Sequence, residues 1–422
     1  MSYRILADGI TVCNDTRKTG RNNNDLIIGP PGAGKSRGYV LPNILQADGS
    51  IVVSDSKGML RRKTEKYLRQ EGYRVVCIDF KDCSASYGYN PFDFIRPDGQ
   101  TGRYHEQDIL TLAAALVPAR SKHDPFWDGA ARMLLECLAA YVLECLPEEE
   151  HNLDSVGTLL CEMSADGLFR VLMDELRELD RNSFALRQWD LFRGSINADK
   201  TFSSIVGILA ERLSALSFDG TKAMFTGKGR IRIGEIGNQR TAVFVSLSDT
   251  DHSLDSLVSL FYTQILQVLC NEADRRVTGR LKVPVRLVLD DFAANLNIPD
   301  FDKTTSVIRS REISVSIIIQ SLSQLEDIYG RAKAMTIINN CDSCLYLGGQ
   351  DVDTAKYIAI KADKPASAIL SMPLHQAWLF LRGEKPRQAA RYRLESHPRY
   401  RCLSGEWAAE KQEERDSPAP MA

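Results

Sequence analysis

Short runs of β-branched and apolar residues recur along the first hundred positions, each separated from the next by a polar or helical stretch. The runs at 26–28, 50–55 and 73–79 alternate with segments of helical character, including a charged one at about 58–71. Parallel strands need a helical crossover between them, so this alternation predicts a parallel sheet covered by helices. A shorter run at 10–12 predicts one more strand.

The pattern changes between about 96 and 227, where no strand pattern is convincing. Helical spacing predominates there, as in 126–146, where apolar residues recur on one helical face. We therefore predict an inserted all-α domain at 96–227 between two parts of one α/β domain. These predicted domain limits are 1–95 and 228–400 for the α/β domain, with a disordered tail at 401–422.

Strand patterns resume after the helical insertion. They occupy 242–247, 285–289, 315–319, 343–347 and a closing pair at 377–382 and 389–393, with a helix at about 253–275. The predicted fold class is α/β, with a mostly parallel central sheet and an inserted all-α domain.

Composition adds two limits. The formal net charge of the 422 residues is −2, which argues against a protein that coats nucleic acid by bulk charge but allows a local basic channel. The longest uncharged run, Ser256–Asn271, is too short to span a bilayer, and the N-terminus lacks the pattern of a signal peptide. We expect this chain to be soluble, without a transmembrane segment.

Gly29–Ser36 fits the pattern G-x-x-x-x-G-K-[ST] at every fixed position. Glycines let backbone N–H groups surround a phosphate, and the following helix adds a partial positive charge. Lys35 would bridge the β- and γ-phosphates, and the Ser36 hydroxyl would hold Mg²⁺. A Gly/Pro surface turn that matches by accident is the alternative. The predicted nucleotide-binding residues are Gly29, Pro30, Pro31, Gly32, Ala33, Gly34, Lys35, Ser36 and Arg37.

The run 285–289 ends in Asp290 and Asp291. Ligands of parallel sheets bind at the carboxyl ends of the strands, which is where these acids would lie. We predict that Asp290 completes the Mg²⁺ site with Ser36, and that Asp291 polarises an attacking water. Two solvated acids after a strand are the alternative interpretation.

Arg309 and Gln320 are weaker candidates from spacing alone. Arg309 lies in Arg309–Ser310–Arg311, and an arginine reaching a neighbouring subunit could stabilise transition-state charge. Gln320 ends the run at 315–319 and could face the phosphates. Two arginines in a loop are usually solvated, which is the alternative for Arg309. For Gln320, a glutamine that caps a loop is an equally open alternative.

The motifs together resemble the cytosolic ATPase part of type IV coupling proteins of conjugation, the TraG-like conjugal transfer family. The stretches that carry this resemblance are Gly29–Ser36, Leu41–Asn43, Val52–Gly58, Tyr89–Phe92, Asp124–Trp127, Leu289–Ala293, Ile298–Phe301, Arg309–Arg311, Gln320–Leu325, Tyr346–Gly349 and Leu381–Pro386. They follow the family's order over nearly the whole chain.

The resemblance implies a RecA-like P-loop NTPase with an inserted all-α domain that binds ATP and Mg²⁺ and works as a homohexamer. Family members act at the cytoplasmic face of the cell membrane, where they deliver a relaxase–single-stranded DNA complex to a type IV secretion channel. The resemblance also implies that Arg309 is an arginine finger and that Gln320 senses the γ-phosphate.

Three features depart from the family pattern. The chain carries no N-terminal transmembrane helices, and the family's Asp–Glu pair is Asp290–Asp291, whose second carboxylate is about 1.5 Å shorter in reach. The usual Asp-Pro-Lys-Gly-Glu segment here reads Asp55–Ser56–Lys57–Gly58–Met59. Misplacement of a catalytic group on this scale can cost on the order of 10²-fold in rate.

These departures leave two further interpretations open. The departures motivate a nucleotide-binding scaffold that recruits substrate but hydrolyses ATP weakly. The other is a double-stranded DNA translocase of the FtsK/HerA kind, which shares the motor but which the stretches Asp124–Trp127 and Ile298–Phe301 fit poorly. In the motor interpretation, DNA phosphates would contact basic residues of the insertion, for which Arg193, Lys200, Arg212 and Lys222 are the candidates. Ordinary solvated charges are the alternative for each of these four.

Overall fold

The structure is a computed structural model. It describes residues 2–118, 125–165, 167–196, 199–227, 229–292 and 297–403. The chain divides into two units. The sheet unit comprises Met1–Cys77, Arg232–Asp249 and Val268–Ala422, and the helical unit comprises Ile78–Ile231 and Thr250–Gln267. The predicted helical insertion, 96–227, falls inside the helical unit, and most of the predicted disordered tail lies outside the described residues.

Eleven strands occur in the described residues. They are β1 Tyr3–Ala7, β2 Ile10–Cys13, β3 Asp25–Ile28, β4 Ser50–Ser54, β5 Arg74–Asp79, β6 Thr241–Ser246, β7 Val285–Leu289, β8 Ile313–Ile319, β9 Ser343–Tyr346, β10 Gln376–Leu381 and β11 Arg387–Ala390. Each predicted strand is confirmed within a few residues. β1 was not predicted; it pairs antiparallel with β2 in a separate hairpin.

The other nine strands of the described chain form one sheet in the order β11-β10-β9-β3-β8-β7-β4-β6-β5. Pairing is parallel at every step from β9 to β6, and antiparallel from β9 to β10 and from β10 to β11. All seven residues of β8 are buried, as expected for a central strand covered on both faces. The predicted α/β class with a mostly parallel sheet is therefore confirmed.

Seventeen α-helices are found in the described residues. They are α1 Thr16–Thr19, α2 Leu41–Leu45, α3 Met59–Gln70, α4 Glu106–Leu116, α5 Phe126–Cys145, α6 Leu153–Ala165, α7 Leu168–Leu179, α8 Phe184–Gly194, α9 Asp199–Leu213, α10 Asp219–Thr226, α11 Ile233–Ile236, α12 Asp255–Asp274, α13 Phe301–Val307, α14 Leu322–Tyr329, α15 Arg331–Asn339, α16 Val352–Ala362 and α17 Ala366–Leu370. None of those described combines the length and the hydrophobicity needed to cross a bilayer.

The helical unit is built around α5. Its apolar residues Leu134, Leu135 and Leu138 are fully buried, as the helical spacing predicts. Aromatic rings add to this core, and the rings of Phe169 and Trp189 meet edge to face with centroids 5.3 Å apart. The segment from α4 to α10 contains no strand among its described residues.

Candidate nucleotide-binding site

Gly29–Ser36 begins where β3 ends, between the ends of β8 and β9. The Gly29 N–H donates to the carbonyl oxygen of Ile319 at 3.1 Å, and the Leu347 N–H donates to that of Ile28 at 2.7 Å. A Cβ atom added to Gly29 would lie 3.0 Å from the Cβ of Leu347. Glycine therefore allows the loop to enter close to the chain that follows β9.

Two glycines give the loop its curvature. Gly32 and Gly34 have φ values of +75° and +83°, which are left-handed conformations that glycine adopts without strain. An added Cβ atom would find open space at both positions, so the requirement is conformational rather than steric. A loop of this shape is the usual cradle for phosphate oxygens.

The helix after the loop starts with a wide turn. Ser36–Val40 is a π-helical turn, in which the Leu41 N–H donates to the Ser36 carbonyl, before α2 continues. Pro42 has no N–H for the carbonyl four residues earlier, which disfavours a regular α-turn here. The wide turn directs Tyr39 inward, where its hydroxyl donates to Asp25 Oδ2 at 2.6 Å. The predicted helix start is confirmed, whereas its first-turn geometry was not foreseen.

Lys35 is 7% exposed and lies within its own loop. Its Nζ donates to the carbonyl oxygens of Gly29 at 2.8 Å and Pro30 at 3.3 Å. The same Nζ lies 3.9 Å from Asp291 Oδ1. The ammonium group is thus held between the phosphate loop and the end of β7.

Ser36 and Asp290 meet across the sheet edge. The Ser36 hydroxyl donates to Asp290 Oδ2 at 2.9 Å. Burial, together with the adjacent carboxylate of Asp291, raises the pKa of Asp290 to about 6. A serine hydroxyl and a carboxylate are hard oxygen ligands, and Mg²⁺ is bound by few protein oxygens of this kind beside phosphates. These residues therefore fit the predicted metal site.

Asp291 has an unusual backbone and an incompletely satisfied side chain. Its φ is +49°, in the left-handed region that is strained for an aspartate. Its Oδ1 is buried without a hydrogen-bond partner among the described residues, although Lys35 lies nearby. Buried polar atoms normally have partners, so this oxygen is consistent with a site that receives a ligand.

A cavity of ≈ 290 Å³, which we call the Asp290 cavity, lies on the β7 and β4 side of the loop. Its lining includes Ser36, Asp290, Asp291 and Met59. Asp55 also lines it, but accepts a hydrogen bond from the Arg61 N–H at 2.8 Å at the start of α3. Burial raises the pKa of Asp55, and the backbone N–H groups of Met59, Leu60 and Arg61, which donate to its carboxylate, oppose this rise. Asp55 thus supports the first turn of α3 beside the site.

Gln320 and Arg309 lie at opposite ends of β8, and so at the carboxyl and amino edges of the parallel strands. Gln320 follows β8 at the carboxyl edge, and its backbone N–H donates to Gln324 Oε1 at 3.1 Å. Arg309 precedes β8 at the amino edge, where its Nη2 lies 3.4 Å from the Thr16 carbonyl oxygen. The seven residues of β8 separate these edges by about 20 Å. The structure brings Gln320 to the phosphate loop of its own chain, but not Arg309.

Sequence reasoning missed Arg391. This residue directly follows β11, and its guanidinium donates to the Ala33 carbonyl at 2.8 Å and the Gln376 carbonyl at 2.9 Å. Backbone carbonyls have no residue signature, so no pattern in a single sequence could have revealed these contacts.

The four basic candidates of the helical unit differ in their surroundings. Arg212 pairs with Asp128 at 3.3 Å and is 11% exposed, and Lys222 pairs with Asp154 at 2.7 Å. The guanidinium of Arg193 lies over the Phe202 ring, 5.3 Å from its centroid, and Lys200 is exposed. Lys200 and Lys222 are thus exposed, whereas the Arg212 side chain is largely buried.

The sequence model of the family described as "Type IV secretory system Conjugative DNA transfer" matches residues 3–362. Protein VirD4 of Agrobacterium fabrum is 26% identical over 344 residues, which are 81% of this chain and 49% of that protein. Conjugal transfer protein TraG of Rhizobium radiobacter is 23% identical over 348 residues, 80% of this chain and 52% of that protein. The chain thus spans about half the length of these relatives.

Solved structures share the fold. The plasmid coupling protein TrwB, in complex with the non-hydrolysable ATP analogue ADPNP, matches with a TM-score of 0.66 at 17% identity, covering 92% of this chain and 89% of that chain. VirB4 of Thermoanaerobacter pseudethanolicus matches with a TM-score of 0.59 at 16% identity, covering 95% of this chain and 98% of that chain. The predicted RecA-like P-loop NTPase fold is confirmed.

Proposed function

The chain belongs to the type IV secretory conjugative DNA transfer family, and from that membership we propose that it is the ATP-hydrolysing part of a coupling protein. In this function it delivers a relaxase–single-stranded DNA complex to a type IV secretion channel at the inner membrane, as a homohexamer. The nucleotide is ATP with Mg²⁺; structures of TrwB have been solved with ADPNP and with ADP and Mg²⁺.

The observation that carries this proposal is the convergence of Lys35 and Ser36 with Asp290 and Asp291 at one sheet edge. Lys35 would donate to phosphate oxygens, and Ser36 and Asp290 would hold the metal. Bound Mg²⁺ would supply positive charge that neutralises the β- and γ-phosphate oxygens. Asp291 would orient and deprotonate the attacking water, and Gln320, at the same edge, would contact the γ-phosphate.

Turnover measurements on the purified chain test this function. We expect steady-state ATP hydrolysis that single-stranded DNA increases and that Lys35→Ala abolishes, because Lys35 is the ammonium group held at the loop. Lys356→Ala is the control, since Lys356 is an exposed lysine of α16 that pairs with Asp353 and does not line the Asp290 cavity. Stimulation by duplex DNA but not by single strands would instead favour a double-stranded DNA translocase.

A nucleotide-binding scaffold with weak hydrolysis is the second candidate. The position of Asp291 favours it. Its carboxylate, which reaches less far than that of a glutamate, lies 3.9 Å from the Lys35 ammonium group and so is placed to neutralise that charge rather than to orient a water molecule. If reach limits the rate, Asp291→Glu raises turnover at unchanged nucleotide affinity. Asp290→Glu, on the neighbouring metal position, is the matched change that does not gain activity. Equal turnover in the wild type and Asp291→Glu would show that side-chain length is not the limitation.

A further inference from the structure

Three aromatic rings pack together where the acidic pair ends, those of Phe292, Phe301 and Tyr329. We call them the Tyr329 cluster. The ring of Tyr329 stacks on that of Phe292, with centroids 6.1 Å and planes 10° apart, and on that of Phe301, with centroids 6.3 Å apart. The centroids of the two phenylalanine rings lie 5.0 Å from each other. Aromatic pairs attract one another at such distances, so the three rings form one packed unit.

Each phenylalanine of the cluster directly follows an aspartate in a left-handed backbone conformation. Asp291, before Phe292, has a φ of +49°, and Asp300, before Phe301, has a φ of +51°. Both phenylalanines are fully buried. A left-handed backbone is strained for an aspartate and persists only where the surrounding structure enforces it. Burial of the adjoining ring supplies this constraint at both positions.

The two acids of the pair are held in different ways. Asp290 accepts from the Ser36 hydroxyl at 2.9 Å and from the Asp291 N–H at 3.2 Å, so hydrogen bonds fix both of its carboxylate oxygens. Asp291 Oδ1 is buried 3.9 Å from the Lys35 ammonium group and has no hydrogen-bond partner among the described residues. The direction of the Asp291 side chain therefore depends on its backbone, and so on whatever enforces its φ.

We propose that the Tyr329 cluster holds Asp291 in the conformation that water activation requires, and that its three members are positioning residues for ATP hydrolysis. This inference rests on the proposed function, in which Asp291 orients and deprotonates the attacking water. The cluster does not touch the nucleotide in this mechanism. Its loss should displace Asp291 while Lys35, Ser36 and Asp290 keep the contacts that bind phosphate and metal.

Tyr329 also connects the cluster with the segments on either side of it. Its hydroxyl oxygen accepts from the Ile298 N–H at 2.9 Å, where the stretch Ile298–Phe301 begins. Tyr329 is the last residue of α14, the helix that begins two positions after Gln320. The cluster thus links Asp291 to the helix that follows Gln320. It also gives Ile298–Phe301, one of the stretches that carry the family resemblance, a role that nucleotide contacts leave unassigned.

Steady-state ATP hydrolysis and calorimetric binding of ADPNP with Mg²⁺, measured on the same variants, test this inference. Tyr329→Ala removes the ring on which both phenylalanines stack. Tyr329→Phe keeps the ring and removes only the hydroxyl that accepts from Ile298. Phe380→Ala is the matched control, because it removes a buried ring that stacks on Trp378, with centroids 6.2 Å apart, on β10 of the same sheet.

We expect Tyr329→Ala to lower kcat by about 10- to 100-fold while ADPNP affinity stays within about twofold, because a displaced Asp291 impairs only the chemical step. Tyr329→Phe should keep kcat within about threefold of the wild-type value, since the ring supplies the packing. Phe380→Ala loses stability through its missing ring, but the folded protein should keep kcat within about twofold.

Three results would each overturn the inference: wild-type kcat in Tyr329→Ala, parallel loss of kcat and ADPNP affinity in that variant, or an equal loss of kcat in Phe380→Ala. If Tyr329→Ala does not fold, Tyr329→Leu keeps apolar volume without a flat ring and should lower kcat by at least about threefold at unchanged ADPNP affinity. Wild-type kcat in Tyr329→Leu would then overturn the inference.

The wild type separates this inference from the function on which it rests. An active wild type with unaffected Tyr329 variants refutes the inference alone. A wild type that does not hydrolyse ATP refutes the proposed function, and the inference fails with it.

Discussion

The Ser36 hydroxyl donates to Asp290 Oδ2 at 2.9 Å across 254 positions of sequence. This contact exists because β3 and β7 both pair with β8, in parallel, so that their carboxyl ends reach the same edge. The phosphate loop and the acidic pair are therefore fixed relative to one another by strand register. A change at either residue should act on the metal rather than on the fold.

Asp290→Asn should abolish the contribution of Mg²⁺ to nucleotide binding. An amide oxygen is a weaker ligand and carries no charge, so we expect the affinity for ADPNP with Mg²⁺ to fall by at least about tenfold. Binding of metal-free ADPNP should stay the same or improve, since a carboxylate near the phosphates is removed. Calorimetry at matched nucleotide concentrations, with and without Mg²⁺, measures both effects.

Asp274→Asn is the control for this change, because Asp274 pairs with Arg311 at 2.8 Å on a different part of the sheet unit. It should leave both affinities unchanged. If Mg²⁺ increases the ADPNP affinity of Asp290→Asn as much as that of the wild type, Asp290 is not a metal ligand.

Asp25→Asn should strongly destabilise the sheet unit. Asp25 is 1% exposed and accepts from Arg4 at 2.9 Å and Arg286 at 3.1 Å. Removing its charge leaves two largely buried guanidinium groups without their carboxylate, which costs about 3–5 kcal/mol in comparable buried pairs. Asparagine keeps one acceptor oxygen where Asp25 has two, so the Tyr39 hydroxyl and the Arg4 guanidinium can no longer both donate to this side chain. Urea denaturation followed by tryptophan fluorescence and circular dichroism measures the loss.

The exposed pair of Arg177 and Asp190 gives the reference for this experiment, with side chains 42% and 50% exposed. Asp190→Asn should change the unfolding free energy by less than about 1 kcal/mol, because solvent screens exposed pairs. Equal midpoints for Asp25→Asn and Asp190→Asn would contradict the structural role assigned to Asp25.

The sequence predicts which segments form strands and the phosphate loop. It predicts less well how these segments are arranged relative to one another. β-branched runs such as 315–319 mark buried strands directly, and Gly29–Ser36 carries its own backbone requirement. Strand order has no such local signal, because the position of β8 between β3 and β7 depends on packing of the whole sheet. For the same reason, the sequence did not reveal that Arg309 and Gln320 flank one strand at opposite ends.

Two other features were missed for physical reasons of a different kind. β1 contains Arg4, which is unusual in a buried strand and is accommodated by its ion pair with Asp25. Arg391 acts on backbone carbonyls, which every residue possesses, so its partners depend on the three-dimensional arrangement alone. The limits of the predicted domains and the roles of the site residues stay predictions.

Glu136 should make stability depend on pH near neutrality. This residue of α5 is 6% exposed, and burial raises its pKa from 4.5 to about 7. A carboxyl group with a raised pKa in the folded state binds more protons than in the unfolded chain, so its contribution is present below pH 4.5 and is lost as pH rises through about 7. The wild type should therefore lose stability between these values.

Glu136→Gln removes this titration and tests the sign. The unfolding free energy of the variant, relative to that of the wild type, should increase by on the order of 2 kcal/mol between pH 5 and pH 8. Thermal melting at the two pH values measures this difference, and Glu175→Gln, on α7, is a control that leaves it unchanged. If the difference in stability between the wild type and Glu136→Gln stays constant with pH, the raised pKa of Glu136 is contradicted.

Arg309 should act on a neighbouring subunit, because it lies at the amino edge of the sheet whereas Lys35 lies at the carboxyl edge. We expect Arg309→Ala to abolish DNA-stimulated turnover while ADPNP affinity stays within about twofold, since an arginine finger acts on transition-state charge. Arg311→Ala, two positions away and paired with Asp274, is the matched control that should keep turnover.

Mixing two inactive variants distinguishes action in trans from a structural role. In a ring formed from equal amounts of Lys35→Ala and Arg309→Ala, an interface is active when an intact phosphate loop faces an intact Arg309. Random assembly gives this arrangement at about one quarter of the interfaces, so mixing should restore about one quarter of the wild-type turnover. Because neither variant alone can form such an interface, recovered activity arises from the pairing of the two. A mixture as inactive as its components, under conditions where mixed rings are detected by mass spectrometry, would exclude a contribution of Arg309 in trans.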